Sequence, residues 1–362
     1  MEEYYLAALQ RAGGMGSVQL QRLLQVFPGG REIWEAPGKE LAALGGISEK
    51  LASSLDALRR ERPDYPRELE ETCGKKEIRL CSILSEDYPS SLKEIFDPPV
   101  VFFYRGTLPE EGLWLGMVGS RHFSRYGEHV ALDFAEKLAA AGAVIVSGAA
   151  RGIDTCAHLG ALKTGKTVAV LGCGADVAYP VENRSLLRDI AEHGAVISEY
   201  EPGTPPLPAF FPARNRIISG LSRGVVVVEA ARRSGSLITA ELAINEGRDV
   251  FAVPGSIFSD TSQGCHYLIQ QGAKLVTGPS DILGEYGETE EKKPERKLPE
   301  LSREEAAVYH VLSGEHPLSV DEIIYSLKGE WDASGISFLL LQMRLKGLVV
   351  EKSHAYLRAE RE

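Results

Sequence analysis

Residues 143–154 read Ala-Val-Ile-Val-Ser-Gly-Ala-Ala-Arg-Gly-Ile-Asp. A short apolar run rich in β-branched residues runs into a glycine-rich turn, and a helical stretch, 154–164, follows. Apolar on consecutive positions rather than alternate ones, Ala143–Ser147 suits a strand covered on both faces. The same unit recurs outward from it. Strands are predicted at Leu115–Val118, Thr167–Leu171, Ala195–Ser198, Gly224–Glu229, Asp249–Val253 and Lys274–Thr277, with Val100–Tyr104 upstream. Helices are predicted between them at Tyr126–Ala141, Asn183–Glu192, Asn215–Leu221, Leu237–Asn245 and Gly264–Gln271. Asp154 and Asn183 stand where N-caps belong. Strand and helix in strict alternation define an α/β fold, a parallel sheet wrapped by helices in a Rossmann-like core.

The flanks read differently. Residues 1–61 form a helical domain with two glycine-punctuated turns, Gly13-Gly14-Met15-Gly16 and Gly45-Gly46, each followed by an amphipathic helix. That is the outline of a SAM or helix-hairpin-helix-like module, which serves either nucleic-acid contact or plain packing. Residues 62–110 read as a proline-rich connection and are grouped with the core, 62–284. Residues 285–300 are charged and read as a linker. Residues 301–362 suggest three helices and a terminal hairpin, a winged-helix-like domain, opened by a capping box at Ser302 and Glu305.

Composition narrows the function classes. The chain has 362 residues, 44% of them hydrophobic, and a net charge of −11. No apolar run approaches the roughly 20 residues of a membrane span, and Met1–Gln10 lacks a basic region before an apolar one, which speaks against a secretory signal. The five cysteines are scattered and form no CxxC pair, so reduced thiols in the cytoplasm are the expectation rather than a metal cluster or a disulfide framework. The acidic balance argues against coating nucleic acid by bulk charge. It leaves room for a local patch of arginines and backbone amides.

In an open parallel sheet, ligands bind at the carboxyl ends of the strands. The loops expected there are Gly119-Ser120-Arg121, Ser147-Gly148-Ala149-Ala150-Arg151-Gly152, Gly172-Cys173-Gly174 and Arg232-Arg233-Ser234-Gly235-Ser236. Glycines admit an anion to the backbone, helix starts aim amides at it, and arginines neutralise it. Phe211-Pro212-Ala213-Arg214-Asn215-Arg216 adds two arginines at a predicted helix start. Arg214 and Arg216 can each hold phosphate, and Asn215 can cap the helix or meet a base edge. The competing reading gives one arginine an internal salt bridge to Glu199 or Glu229. Tyr179, Phe210 and Phe211 either stack on bases or plug the sheet edge. A P-loop and a complete dinucleotide fingerprint are both absent, and His158, His193 and His266 lack metal-ligand spacing. No metal, cofactor or catalytic residue is expected.

These motifs occur together in a telling order. Gly119-Ser-Arg121, Ser147-Gly-x-Ala-x-Gly-Ile-Asp154, Gly172-x-Gly174, Tyr179-Pro180-x-x-Asn183, Ser198-Glu199, Phe211-Pro-x-Arg-Asn-Arg-Ile-Ile218, Ser234-Gly-Ser-Leu-Ile-Thr239 and Pro254-Gly255 resemble the DNA-processing protein A (DprA/Smf) family. The upstream Asp87-Tyr-Pro-x-x-Leu-Lys93 and Asp97-Pro-Pro99 fit as well, and the match covers roughly residues 85–280. The resemblance implies single-stranded DNA binding through the core, protection of the strand, help in loading the RecA recombinase, a role in natural transformation, and a homodimer. It maps the family's basic DNA pocket onto Arg121 and Arg214–Arg216, with Asn183 and Arg184 alongside. The expected DNA-contacting set is therefore Gly119, Ser120, Arg121, Gly148, Arg151, Asn183, Arg184, Arg214, Asn215, Arg216, Ser234, Gly235 and Ser236. The rival readings are a nucleotide hydrolase like the LOG-type phosphoribohydrolases, for which Ser234–Thr239 with Glu241 holds a similar place without the PGGxGT form, and a dinucleotide oxidoreductase.

Overall fold

The computed structural model describes residues 1–288, 301–313, 317–327, 331–352 and 355–359. Met1–Glu291 forms one compact unit and Lys292–Glu362 a second.

The first unit opens with six helices: α1 (Glu2–Gln10), α2 (Ser17–Leu24), α3 (Gly30–Glu35), α4 (Gly38–Gly45), α5 (Glu49–Glu61) and α6 (Tyr65–Lys75). Gly46 ends α4 in the left-handed region at φ 64°, and the Ser48 hydroxyl caps α5 by accepting from Leu51 N. The chain continues through β1 (Arg79–Ser82), α7 (Ser90–Lys93), β2 (Val101–Gly106), β3 (Trp114–Val118), α8 (Arg125–Ala140), β4 (Val144–Ser147), α9 (Ile153–Ala161) and β5 (Thr167–Leu171). It then runs through α10 (Arg184–His193), β6 (Ala195–Ser198), α11 (Phe210–Leu221), β7 (Gly224–Val227), α12 (Gly235–Asn245), β8 (Asp249–Ala252), α13 (Gln263–Gln270), β9 (Lys274–Leu275) and α14 (Pro279–Leu283).

The nine strands form one sheet in the order β1-β2-β6-β5-β4-β3-β7-β8-β9. From β6 to β9 all neighbours are parallel, whereas β2 runs antiparallel to both β6 and β1. Val144, Val146, Val168 and Val170 face one way, against α7, α11, α12 and α13. Leu115, Met117 and Ile145 face the other, against α8, α9 and α14, and Ala169 and Val196 continue that face against α10. Burial on both faces is the reason the strand sequences lack alternation. The helical module packs Leu6, Leu9, Leu69 and Cys73 on Val101 and Phe103 of β2 and on Ala175. All five cysteines are free and buried.

Three expectations change. The stretch 62–110, read as a proline-rich connection with one strand, also contains α6 and β1, and β1 forms one edge of the sheet. Helix α11 starts at Phe210, not Asn215. Pro212 lies in the first turn, where a proline removes an N–H that has no intrahelical partner anyway. Helix α9 is capped by Gly152 at φ 88°, not by Asp154, which sits in the first turn. Asn183 does hold the N-cap position of α10, but its side chain makes no capping bond.

Of the stretch expected as a linker, residues 289–300 lie outside the described residues. Its earlier Tyr286 is part of the folded unit, edge-on to Phe251 with its hydroxyl donating to Asp249 at 2.8 Å. The second unit contains α15 (Arg303–Val311), α16 (Val320–Ser326), α17 (Ala333–Leu345) and the antiparallel hairpin of β10 (Val349–Lys352) and β11 (Ala355–Arg358). Capping boxes open α15 (Ser302, Glu305) and α16 (Ser319, Glu322). Val308, Ile323, Ile336, Leu340 and Met343 form its core. Among the described residues, no helix is long and apolar enough to cross a membrane, and no group of three or more His, Cys, Asp or Glu is placed to hold a metal ion.

Candidate nucleic-acid interface

The loops that leave β3, β4 and β5 at their carboxyl ends enclose a pocket of ≈ 60 Å³, lined among others by Arg121, Gly148, Arg151, Gly172, Phe211 and Arg214. Glycine is needed at its floor. A Cβ on Gly148 would overlap the Arg214 guanidinium, and one on Gly172 would sit 2.9 Å from the Phe211 ring. Ala149, which follows Gly148 in the β4 turn, holds φ at 50°, and the Asn183 side-chain amide fixes it by donating to its carbonyl at 3.0 Å and to Thr155 Oγ1 at 2.9 Å.

Arg214 is the unusual group. It is 5% exposed. One Nη donates to the Val170 carbonyl, and Nε is buried without a hydrogen-bond partner. The nearest acid, Asp154, makes no ion pair within bonding distance and instead accepts from Ala150 N at 3.3 Å. Burial pushes the Asp154 carboxyl above its ordinary range, an effect the Arg214 charge offsets in part. Burial likewise lowers the Arg214 guanidinium, but an arginine stays charged in a protein. The pocket thus holds a desolvated cation with an unpartnered Nε and no ion pair within bonding distance, Asp154 being its nearest opposite charge, an arrangement that a bound anion would stabilise. His158 lies in the same field. Its Nδ1 meets Thr167 Oγ1 at 2.7 Å, and burial together with the Arg214 charge holds its pKa down to about 3.

The other expected residues divide. Arg121 and Arg184 are exposed and have no acidic partner among the described residues. Arg151 is exposed but paired with Glu182, and Asn215 is half-buried. Arg216, two residues from Arg214 on α11, is committed elsewhere: its Nη2 contacts Glu199 at 2.6 and 2.9 Å and its Nε contacts Asp97 at 3.3 Å. The internal salt bridge therefore belongs to Arg216, and its partner is Glu199. Glu229 instead accepts from Ser124 N at 2.9 Å, Ser124 Oγ at 2.7 Å and Thr261 Oγ1 at 3.1 Å. Asn183 is buried and does not face the pocket. Ser120 is folded into its own turn, donating from Oγ to the His122 carbonyl at 2.5 Å, with Gly119 packed against Ile153. Ser234 caps α12, its Oγ 2.8 Å from that of Ser236, while Gly235 is exposed.

Tyr179 and Phe211 were not in the expected set, yet they wall the pocket, with ring centroids 5.4 Å apart and Tyr179 41% exposed. Phe210 stacks on Tyr200 at 4.0 Å, behind that wall. The signal in sequence was the aromatic pair beside Pro212, which fits base stacking and edge plugging equally well.

An open, mostly parallel sheet with a cation and glycines at its carboxyl edge defines a Rossmann-like domain with an anion-binding edge. Within that class, the chain belongs to the family described as DNA recombination-mediator protein A, whose model matches residues 79–287. The chain is 53% identical over 215 residues to the DNA processing protein DprA of Streptococcus pneumoniae, a match that covers 57% of this chain and 73% of that protein. The X-ray structure of the Streptococcus pneumoniae protein superposes with a TM-score of 0.67 at 41% identity, covering 79% of this chain and 98% of that one. DNA processing protein A from Helicobacter pylori, a structure described for its single-stranded DNA binding mode, superposes with a TM-score of 0.53 at 30% identity, covering 58% and 95%.

Proposed function

We propose that this protein binds single-stranded DNA at the carboxyl edge of its sheet, shields the strand, and helps load the RecA recombinase during recombination and natural transformation. One observation carries the reading: Arg214 is a buried cation that makes no ion pair within bonding distance, set in a glycine-floored pocket beside the exposed Arg121. A backbone phosphate supplies the missing ion pair. Phosphate contacts carry no sequence information, and a base lying on Tyr179 presents the same π-face whatever its identity. The interface then grips any strand, and duplex DNA, whose bases are already stacked, lacks the second contact.

The same reading includes a cytoplasmic homodimer acting without catalysis, a SAM or helix-hairpin-helix-like role for the N-terminal helices and a winged-helix role for α15–α17 with its hairpin. Family membership supports it. A nucleotide hydrolase is disfavoured by the pocket itself. Its ≈ 60 Å³ lies well below the roughly 300–1,000 Å³ of a site that encloses a small ligand. The carboxylate nearest the pocket floor, Asp154, is buried and held by a backbone amide.

The test is a titration of labelled single strand, the matching duplex and a nucleoside monophosphate, with product analysis of the last. Tight binding confined to the single strand, with the monophosphate unchanged, is the expected outcome. A cleaved monophosphate, or equal affinity for duplex, would overturn the proposal.

A further inference from the structure

The sheet's strand order contains a second geometric clue. Successive crossovers carry the chain from β3 outward to β4, β5 and β6, and then back to β7 on the other side of β3. The topological switch point therefore lies between β3 and β7, where the loops part and ligands of open α/β sheets settle. The pocket described above lies over β3, β4 and β5, to one side of that point.

Charge is distributed unevenly about the pocket. Beyond β5 toward β6, the edge carries Asp176, Glu199 and Glu201. The first two are paired with Lys76 and Arg216. Glu201 accepts from the Tyr65 hydroxyl at 2.7 Å, and its other oxygen is buried without a partner. Tyr65 and Lys76 belong to the end of the molecule that the helical module covers. Past Arg184, which is exposed at the start of α10, a polyanion leaving the pocket in that direction meets acid and a wall of helix.

The opposite direction is open and basic. Arg232 and Arg233 lie in the turn between β7 and α12. Both are exposed, and neither has an acidic partner among the described residues. Gly235, next along, has nothing within 4 Å of where a Cβ would be. This turn is locked to the Arg121 turn: Ser120 N donates to the Glu229 carbonyl at 2.7 Å, and the Glu229 carboxylate is used up on Ser124 and Thr261. The acid closest in sequence is thus unavailable to neutralise the two arginines.

We infer that the bound strand leaves the pocket across the switch point and over the β7–α12 turn, where Arg232 and Arg233 take its next phosphates. The inference rests on the single-strand reading above and adds to it a direction and a second contact. The track from β5 to β7 spans three strand spacings, about 14 Å. The pocket ends over β3, so a strand confined to it stops one strand spacing short of β7.

The experiment compares a short oligothymidylate that fills the pocket alone with one of about 16 nucleotides, using wild type, the Arg232→Ala/Arg233→Ala double variant and its Lys/Lys counterpart. The Ala pair should bind the short strand as wild type does. It should bind the long strand at least about tenfold more weakly, with the slope of log K against log salt reduced by about 1.4, for two phosphates at about 0.7 each. The Lys pair should restore the slope. Both side chains are exposed, so a matching melting temperature checks the fold. Unchanged long-strand affinity and slope in the Ala pair, with wild type binding normally, would overturn the inference alone. Absence of single-strand binding by wild type would overturn it together with the reading on which it rests.

Discussion

The two halves of the sheet's carboxyl edge are made of the same kind of loop but handle charge in opposite ways. On the β6 side the cations set into the edge have acids, Arg216 holding Glu199 and Asp97 and Lys76 holding Asp176, and the exposed Arg184 at the start of α10 is the exception. On the β3 and β7 side Arg121, Arg232 and Arg233 stand in solvent without an acidic partner among the described residues, and Arg214 below them is buried without an ion pair. Arg214 and Arg216 make the contrast sharpest, because they are two residues apart on one helix. The lesson is that a motif marks where arginines are, whereas leftover charge marks where a ligand belongs. Charge already neutralised inside the protein gains little from a phosphate and loses its existing partner.

That contrast can be broken by four experiments. The largest effect is expected from Arg214→Ala. It removes the donor to the Val170 carbonyl and the positive charge that offsets the burial of Asp154, so stability should fall by about 3 kcal/mol and single-strand affinity by more than about a hundredfold. Denaturant unfolding and a binding titration report the two effects. Strand binding that survives in the folded fraction would place the phosphate elsewhere.

Next comes Arg216→Ala. It strands Glu199, whose side chain is 16% exposed, and the half-exposed Asp97, and should also cost about 3 kcal/mol. Its affinity per folded molecule should stay at the wild-type value. A loss of binding equal to that of Arg214→Ala would erase the distinction between the two halves of the edge.

Arg121→Ala reverses this pattern. The side chain is exposed, so the change in stability should remain within about 0.5 kcal/mol, while affinity drops about tenfold and the salt slope by about 0.7.

The smallest effect at neutral pH concerns His158. Its folded pKa, about 3, lies below the ordinary 6.5. The unfolded chain therefore takes up the proton first as pH falls. Stability attached to the neutral ring is complete above about 6.5 and declines toward 3, at up to about 1.4 kcal/mol per pH unit. His158→Gln should flatten that part of the curve relative to wild type. A parallel curve would mean that the ring is solvated.

The contrast also shows what the sequence could and could not convey. The strands from β3 to β8 were legible because burial on both faces leaves continuous apolar runs, and the loops at their ends because glycine and arginine recur there. Strand β1 was not, since Arg79–Ser82 is four residues with a single polar–apolar alternation, and α6 was masked by Pro63 and Pro66. Arg214 and Arg216 looked equivalent because the helix was started after Pro212. With the true start at Phe210, Arg214 turns under the sheet edge and Arg216 toward Glu199. Asn183 was placed at the right N-cap, but the carbonyl it serves, Ala149, is 34 residues away in sequence, and only the fold brings the two together.

The central claim, that unneutralised charge on the β3 and β7 half is the DNA site, is tested most directly by the salt dependence of single-strand binding in Arg121→Ala and Arg216→Ala side by side. The account predicts a slope reduced by about 0.7 in Arg121→Ala and unchanged in Arg216→Ala. Equal slopes in both variants and wild type, or a reduction confined to Arg216→Ala, would contradict it.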